Sequence, residues 1–143
     1  MAIAIPVFTN QLEKSREATD MSNIRGYYAE ITTALTTNDL DAGSTGKTLI
    51  LGNGNGEKKV TAAVTTAMTG ASGTFVVTVS NITANQTVSQ WQSGDQEVAG
   101  YVIKADNDMK DKTTIAFTFT VTADSATQAS TTYLSGITFG TAG

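Results

Sequence analysis

Thr113-Thr-Ile-Ala-Phe-Thr-Phe-Thr-Val-Thr122 decides the fold class. Ile115, Phe117, Phe119 and Val121 fall on one side of an extended chain. Thr114, Thr118, Thr120 and Thr122 fall on the other. Strict alternation of this kind is a half-buried strand with one wet face. Working outward, Phe75, Val77 and Val79 repeat the pattern, as do Val60, Ala62 and Val64. Thr48 to Leu51 and Glu97 to Lys104 are further strand candidates, and Thr131 to Phe139 is a weaker one. Gly52-Asn-Gly-Asn-Gly56 is turn chemistry suited to a hairpin. Ala67 to Gly73 and Asp106 to Lys112 read as loops, and the tail Phe139 to Gly143 as loose. The chain holds 26 threonines among its 143 residues, a β-branched composition that suits strands.

The amino-terminal quarter has a different period. Pro6 is the only proline, and Val7 to Leu35 contains one glycine, Gly26. Helix formers are frequent here, and Ile24, Tyr28, Ile31 and Leu35 recur at i, i+4, i+7 and i+11, one face of a helix. Thr36, Thr37, Asn38 and Asp39 end it. From Phe8 to Met21 only Phe8, Leu12, Ala18 and Met21 are apolar, among Glu13, Lys14, Arg16, Glu17 and Asp20. A helix of this length spans roughly 43 Å, whereas a compact domain of this size has a radius of gyration of about 14 Å. The expectation is therefore a helical unit, residues 1–37, whose second half docks on a sheet and whose first half projects. Residues 38–143 follow as a globular β-rich domain.

Composition excludes several function classes. Charged residues make up 15% of the chain, against roughly 25% in ordinary domains. The net charge of -4, with no basic cluster, argues against nucleic acid. With no cysteine and no histidine, disulfides, thiol nucleophiles, Cys/His zinc sites and histidine bases are all absent. No apolar run reaches the ~18 residues of a membrane span. Ala2-Ile-Ala-Ile5 behind Met1 has neither the charged start nor the cleavage site of a signal peptide. It reads as the clipped end of a longer apolar segment or as a frayed apolar terminus.

Short motifs carry little chemistry. Gly43-Ser-Thr-Gly-Lys-Thr48 lacks the first glycine of a phosphate-binding loop, Asp41 standing there, and it precedes a strand rather than a helix. Asp106-Asn-Asp-Met-Lys-Asp111 offers three carboxylates, but Lys110 occupies a ligand position of the helix-loop-helix calcium pattern; only a weak, irregular calcium site is left open. Asn81-Ile-Thr83 and Asn85-Gln-Thr87 match the glycosylation acceptor pattern, which a threonine-rich chain meets by chance. Trp91 reads as a boundary residue covering the sheet or as an exposed aromatic for a ligand. Asp95 and Glu97 lack an apolar setting that would raise one pKa for acid catalysis. No enzyme, cofactor or metal is expected.

The segment Ala2-Ile-Ala-Ile-Pro-Val-Phe-Thr-Asn-Gln-Leu-Glu-Lys-Ser-Arg-Glu-Ala-Thr-Asp20, continuing through Asn23-Ile-Arg-Gly-Tyr-Tyr-Ala-Glu30, resembles the type IV pilin family, most of all its Gram-positive members. The resemblance covers about a quarter of the chain. It implies an α+β fold in which a long N-terminal α-helix packs by its C-terminal half on an antiparallel β-sheet. It further implies a major structural subunit of a surface filament, with a methylated mature N-terminus and a cytoplasmic-membrane pool before assembly. Such a subunit would be held in the membrane by an apolar segment preceding Pro6. Its partners would be other pilin subunits, minor pilins and the assembly machinery; separate ATPases would power extension, with no direct nucleotide binding here. Adhesion, twitching motility and DNA uptake are functions of the family. Pro6 would match the family proline, Phe8 and Leu12 would face neighbouring helices, and Glu13, Lys14, Arg16 and Glu17 would make intersubunit pairs. Two alternatives stand beside it: a pseudopilin of a secretion or competence system, and a free β-rich ligand-binding module.

Overall fold

The computed structural model describes residues 4–51, 59–123 and 130–141, and side chains for all of these except 4–10 and 130. The Gly52–Gly56 turn lies outside the described residues.

The chain opens with helix α1, Ala4–Thr37. It stops where Asn38 takes a left-handed φ of 65°, the conformation that ends many helices. The Asp39 and Leu40 amides then both donate to the Ala34 carbonyl. Strands β1 (Thr48–Leu51), β2 (Val60–Thr66) and β3 (Gly73–Ser80) follow. After an insertion come β6 (Thr114–Ala123) and β7 (Ser130–Gly140). These five form one sheet in the order β1-β2-β3-β6-β7, every neighbouring pair antiparallel. The insertion, residues 81–113, carries a separate two-stranded ribbon of β4 (Gln96–Val98) and β5 (Tyr101–Ile103).

One face of the sheet makes the core. Phe75, Val77, Val79, Ile115, Phe117, Phe119 and Ile137 are each at most 2% exposed. From the helix, Ile24 and Ile31 are fully buried against this layer, and Tyr28 and Leu35 are partly buried on it. The Tyr28 ring stacks on Phe119 at 6.0 Å, and Phe119 stacks on Phe75 at 5.0 Å. Fully burying side chains of this kind stabilises by about 1.5–3 kcal/mol each. The insertion covers the same face near β7: Trp91 tilts against Phe139, and the Asn107 Nδ2 donates to the Ile137 carbonyl.

Three expectations are corrected. The α+β arrangement with a helix docked by its C-terminal half alone, in the type IV pilin manner, is overturned. The described residues instead make a β-rich domain: a five-stranded antiparallel sheet, a ribbon and one helix. That helix is held to the domain as far back as Glu13, which is 2% exposed. The run Glu97 to Lys104 is not one strand, because Ala99 and Gly100 take φ of 49° and 87° and fold it into the β4-β5 hairpin. Nor is the tail loose from Phe139: β7 continues to Gly140, and Phe139 packs on the core. Ala142 and Gly143 lie outside the described residues.

Candidate functional site

The buried face of α1 does not end with its apolar residues. Reading backward from Leu35, the inward positions are Ile31, Tyr28, Ile24, Asp20, Glu17 and Glu13, at unbroken helical spacing. The last three are carboxylates, at 1%, 1% and 2% exposure. Such groups are almost never this buried without partners.

Their partners are backbone amides of the insertion, taken in consecutive pairs. The Asn85 and Gln86 amides donate to Asp20, at 2.9 Å to Oδ1 and 2.8 Å to Oδ2. The Thr87 and Val88 amides donate to Glu13 Oε1 at 2.9 and 3.0 Å, and the Thr87 hydroxyl to Oε2 at 2.7 Å. The Gln92 and Ser93 amides donate to Glu17 Oε2 and Oε1 at 2.7 and 2.9 Å. Segment 85–93 thus runs down the helix from Asp20 to Glu13 and turns back to Glu17. Successive amides converging on one anion act as a concave positive site, much as phosphate-binding turns do.

The turn is braced from within. Gln86, 3% exposed, donates from Nε2 to the Val88 and Gln90 carbonyls and accepts the Met109 amide at Oε1. The Gln90 amide donates to Asp108 Oδ2 at 2.6 Å, and the Trp91 indole donates to the Asn107 carbonyl at 2.7 Å. Arg25 donates to the Glu97 carbonyl at 3.0 Å, tying the helix to the ribbon.

Among the described residues one cation reaches the cluster, Arg16, whose guanidinium lies 3.3 Å from Glu13 Oε2 and whose side chain is 42% exposed. Burial pushes the Glu13 carboxyl up. The Thr87 hydroxyl, the Val88 and Thr87 amides and Arg16 together outweigh it, so its pKa lies below the usual 4.5. A carboxylate held ionised and saturated with donors is neither a general acid nor an available base. The cluster holds a loop: each of its three carboxylates accepts two backbone amides of segment 85–93.

The sequence-derived residues therefore divide. Ile24, Tyr28, Ile31 and Leu35 lie between helix and sheet. Glu13 and Glu17, expected to make intersubunit pairs, accept amides of segment 85–93 within their own chain. Lys14 is exposed, Arg16 is half-exposed, and Leu12 is 42% exposed. The side chains of Pro6 and Phe8 lie outside the described residues. In the Asp106–Asp111 loop, Asp108 accepts the Gln90 and Lys110 amides and Asp111 pairs with Lys110. Among the described residues no group of three acidic side chains is placed to hold a metal ion, and no helix is long and apolar enough to cross a membrane. Trp91 is 3% exposed and belongs to the core.

Sequence reasoning missed Asp20 and the holding role of segment 85–93, in which it marks only the Asn85–Thr87 acceptor pattern and Trp91. The signal was present in the helical spacing, since Glu13, Glu17 and Asp20 continue the Ile24-Tyr28-Ile31-Leu35 face. The resemblance assigns Glu13 and Glu17 to pairs between subunits instead, and Asp20 falls in the half expected to project.

Comparison with protein-family models, with curated proteins and with solved structures returns no match.

Proposed function

We propose that this protein is a structural subunit, the major one, of a type IV pilus filament at the cell surface, polymerising through α1 to support adhesion or twitching motility. Two things support the reading. The first is the resemblance of Ala2–Asp20 and Asn23–Glu30 to pilin N-terminal segments. The second, and the observation that carries it, is the outward face of α1. Opposite the buried acids and isoleucines lie Ser15, Thr19, Ser22, Gly26, Ala29 and Thr33, all exposed and at helical spacing. A Cβ added at Gly26 would meet nothing within 4 Å. A helix whose inner face is satisfied by its own domain and whose outer face lacks bulk allows neighbouring helices to approach closely.

Gly26→Leu separates subunit from filament. In the isolated domain it fills open space on a helix and stabilises by up to about 1 kcal/mol. In the complete protein it holds neighbouring helices apart, and the yield of sheared filaments falls at least tenfold. Normal filament yield from that variant would refute assembly through this face. Intact mass spectrometry of sheared filaments is the companion experiment. A dominant species containing this sequence identifies the major subunit, whereas retention in the membrane fraction points to a pseudopilin.

A further inference from the structure

The face of the sheet turned away from the core is unlike the rest of the molecule. The chain carries 9 basic and 13 acidic side chains, yet none of the five strands contains one. A merely solvated surface is about 25–35% charged, and the edge strands of an exposed sheet are often protected with charged side chains, lysine above all. Here the outward positions are mostly threonine, serine, alanine and glycine, the larger side chains being Val76 in β3, Ile50 in β1 and Tyr133 in β7. They form a regular grid, because strands lie about 4.8 Å apart and same-face residues roughly 6.7 Å apart along a strand.

The hydroxyls are arranged in register across strands. Thr65 and Thr78 share a hydrogen bond at 2.9 Å, and Thr120 donates to Ser135 at 2.8 Å, which donates on to the Thr118 carbonyl. A bulge opposite Thr118 and Phe119 sets Ser135 at this point. Next to it Tyr133, paired with Thr120 across the strands, is 55% exposed and provides an aromatic surface.

We propose that this outer sheet face binds a neutral polysaccharide. A charged polymer finds no counter-charge on it. A second copy of the chain finds only the half-buried Val76 at the middle of the face and Ile50 and Tyr133 on separate edge strands, whereas stable protein interfaces have contiguous aromatic and apolar cores. A neutral glycan matches what is there. Each threonine or serine hydroxyl both donates and accepts and rotates to suit, so it serves sugar hydroxyls of either polarity. The threonine methyls and the Tyr133 ring meet the C–H faces of the sugar rings. The inference does not depend on polymerisation and holds for the isolated domain.

The test is co-sedimentation of the domain with insoluble cellulose, chitin and starch, with heparin beads as the anionic control. The wild-type domain sediments with at least one neutral polysaccharide and not with heparin. Tyr133→Ala and Ser135→Lys, both at exposed positions, each weaken that binding at least tenfold with unchanged circular dichroism. No sedimentation with any neutral polysaccharide overturns the proposal, as does binding that both variants leave intact. A dimer in analytical ultracentrifugation that Ser135→Lys disperses, without polysaccharide binding, assigns the face to a second copy and overturns it equally.

Discussion

Replacing Glu17 with glutamine keeps the size of the side chain and removes half of what it does. The carboxylate accepts the Gln92 amide at 2.7 Å and the Ser93 amide at 2.9 Å while only 1% exposed. A hydrogen bond to a charged acceptor contributes about 1.5–3 kcal/mol net. Glutamine retains one oxygen, now neutral, and points its NH2 at the other backbone N–H, so one bond is weakened and the other becomes a donor facing a donor. Gln92 and Ser93 are exposed residues, and water recovers part of the loss. The expected cost of Glu17→Gln is about 2–4 kcal/mol, or a fall in melting temperature of roughly 10 °C for a domain of this size. Urea titration gives the free energy, and amide exchange at Gln92 and Ser93 localises it. A change below about 0.5 kcal/mol, the range of ordinary surface substitutions, would mean that this carboxylate faces water in solution, and the holding role of the cluster would be wrong.

Glu13 has a lowered pKa, so its contribution to stability is fully present above its unfolded value of 4.5 and is lost as pH falls through the lower folded value. Denaturant titrations from pH 7 down to pH 3 should show Glu13→Gln less stable than wild type at neutral pH, with the gap closing in acid; a constant gap would refute the linkage. Ile24→Ala deletes a fully buried side chain between helix and sheet and should cost about 2–5 kcal/mol, measured by the same titration; a cost under about 1 kcal/mol would mean the site collapses freely or the helix is not docked there. Pro6→Ala in the complete protein should leave the domain folded while altering filament yield or stability, and wild-type filaments would count against a role for this proline.

The strands were legible because burial on one face writes itself as alternation, clearest from Ile115 to Val121 and repeated at Phe75 to Val79. The helix was legible from Ile24 to Leu35 for the same reason at a longer period. The insertion was not. Its attachment runs through backbone N–H groups, which every residue but proline carries, so Asn85 to Ser93 leaves no side-chain pattern to read. Its acceptors are visible in the sequence, but carboxylates on a half-helix expected to project read as partners for a neighbouring subunit, and nothing in the sequence shows that several amides of the same chain converge on each. The β4-β5 hairpin hid behind Ala99, which holds a positive φ without the Asn-Gly or Asp-Gly pair that announces such a turn.

The choice of carboxylates for the lower half of the buried stripe bears on the order in which the molecule is made. Glu13, Glu17 and Asp20 meet partners 65 to 76 residues later in the chain. During synthesis the helix must therefore wait while β1, β2 and β3 are being added. Closing a loop of about 70 residues costs roughly 1.6 kcal/mol more than closing one of about 12, so these contacts favour late formation. An apolar stripe left waiting that long would be open to aggregation. A stripe of acids stays hydrated until segment 85–93 arrives, and only then surrenders its water to the amides that replace it.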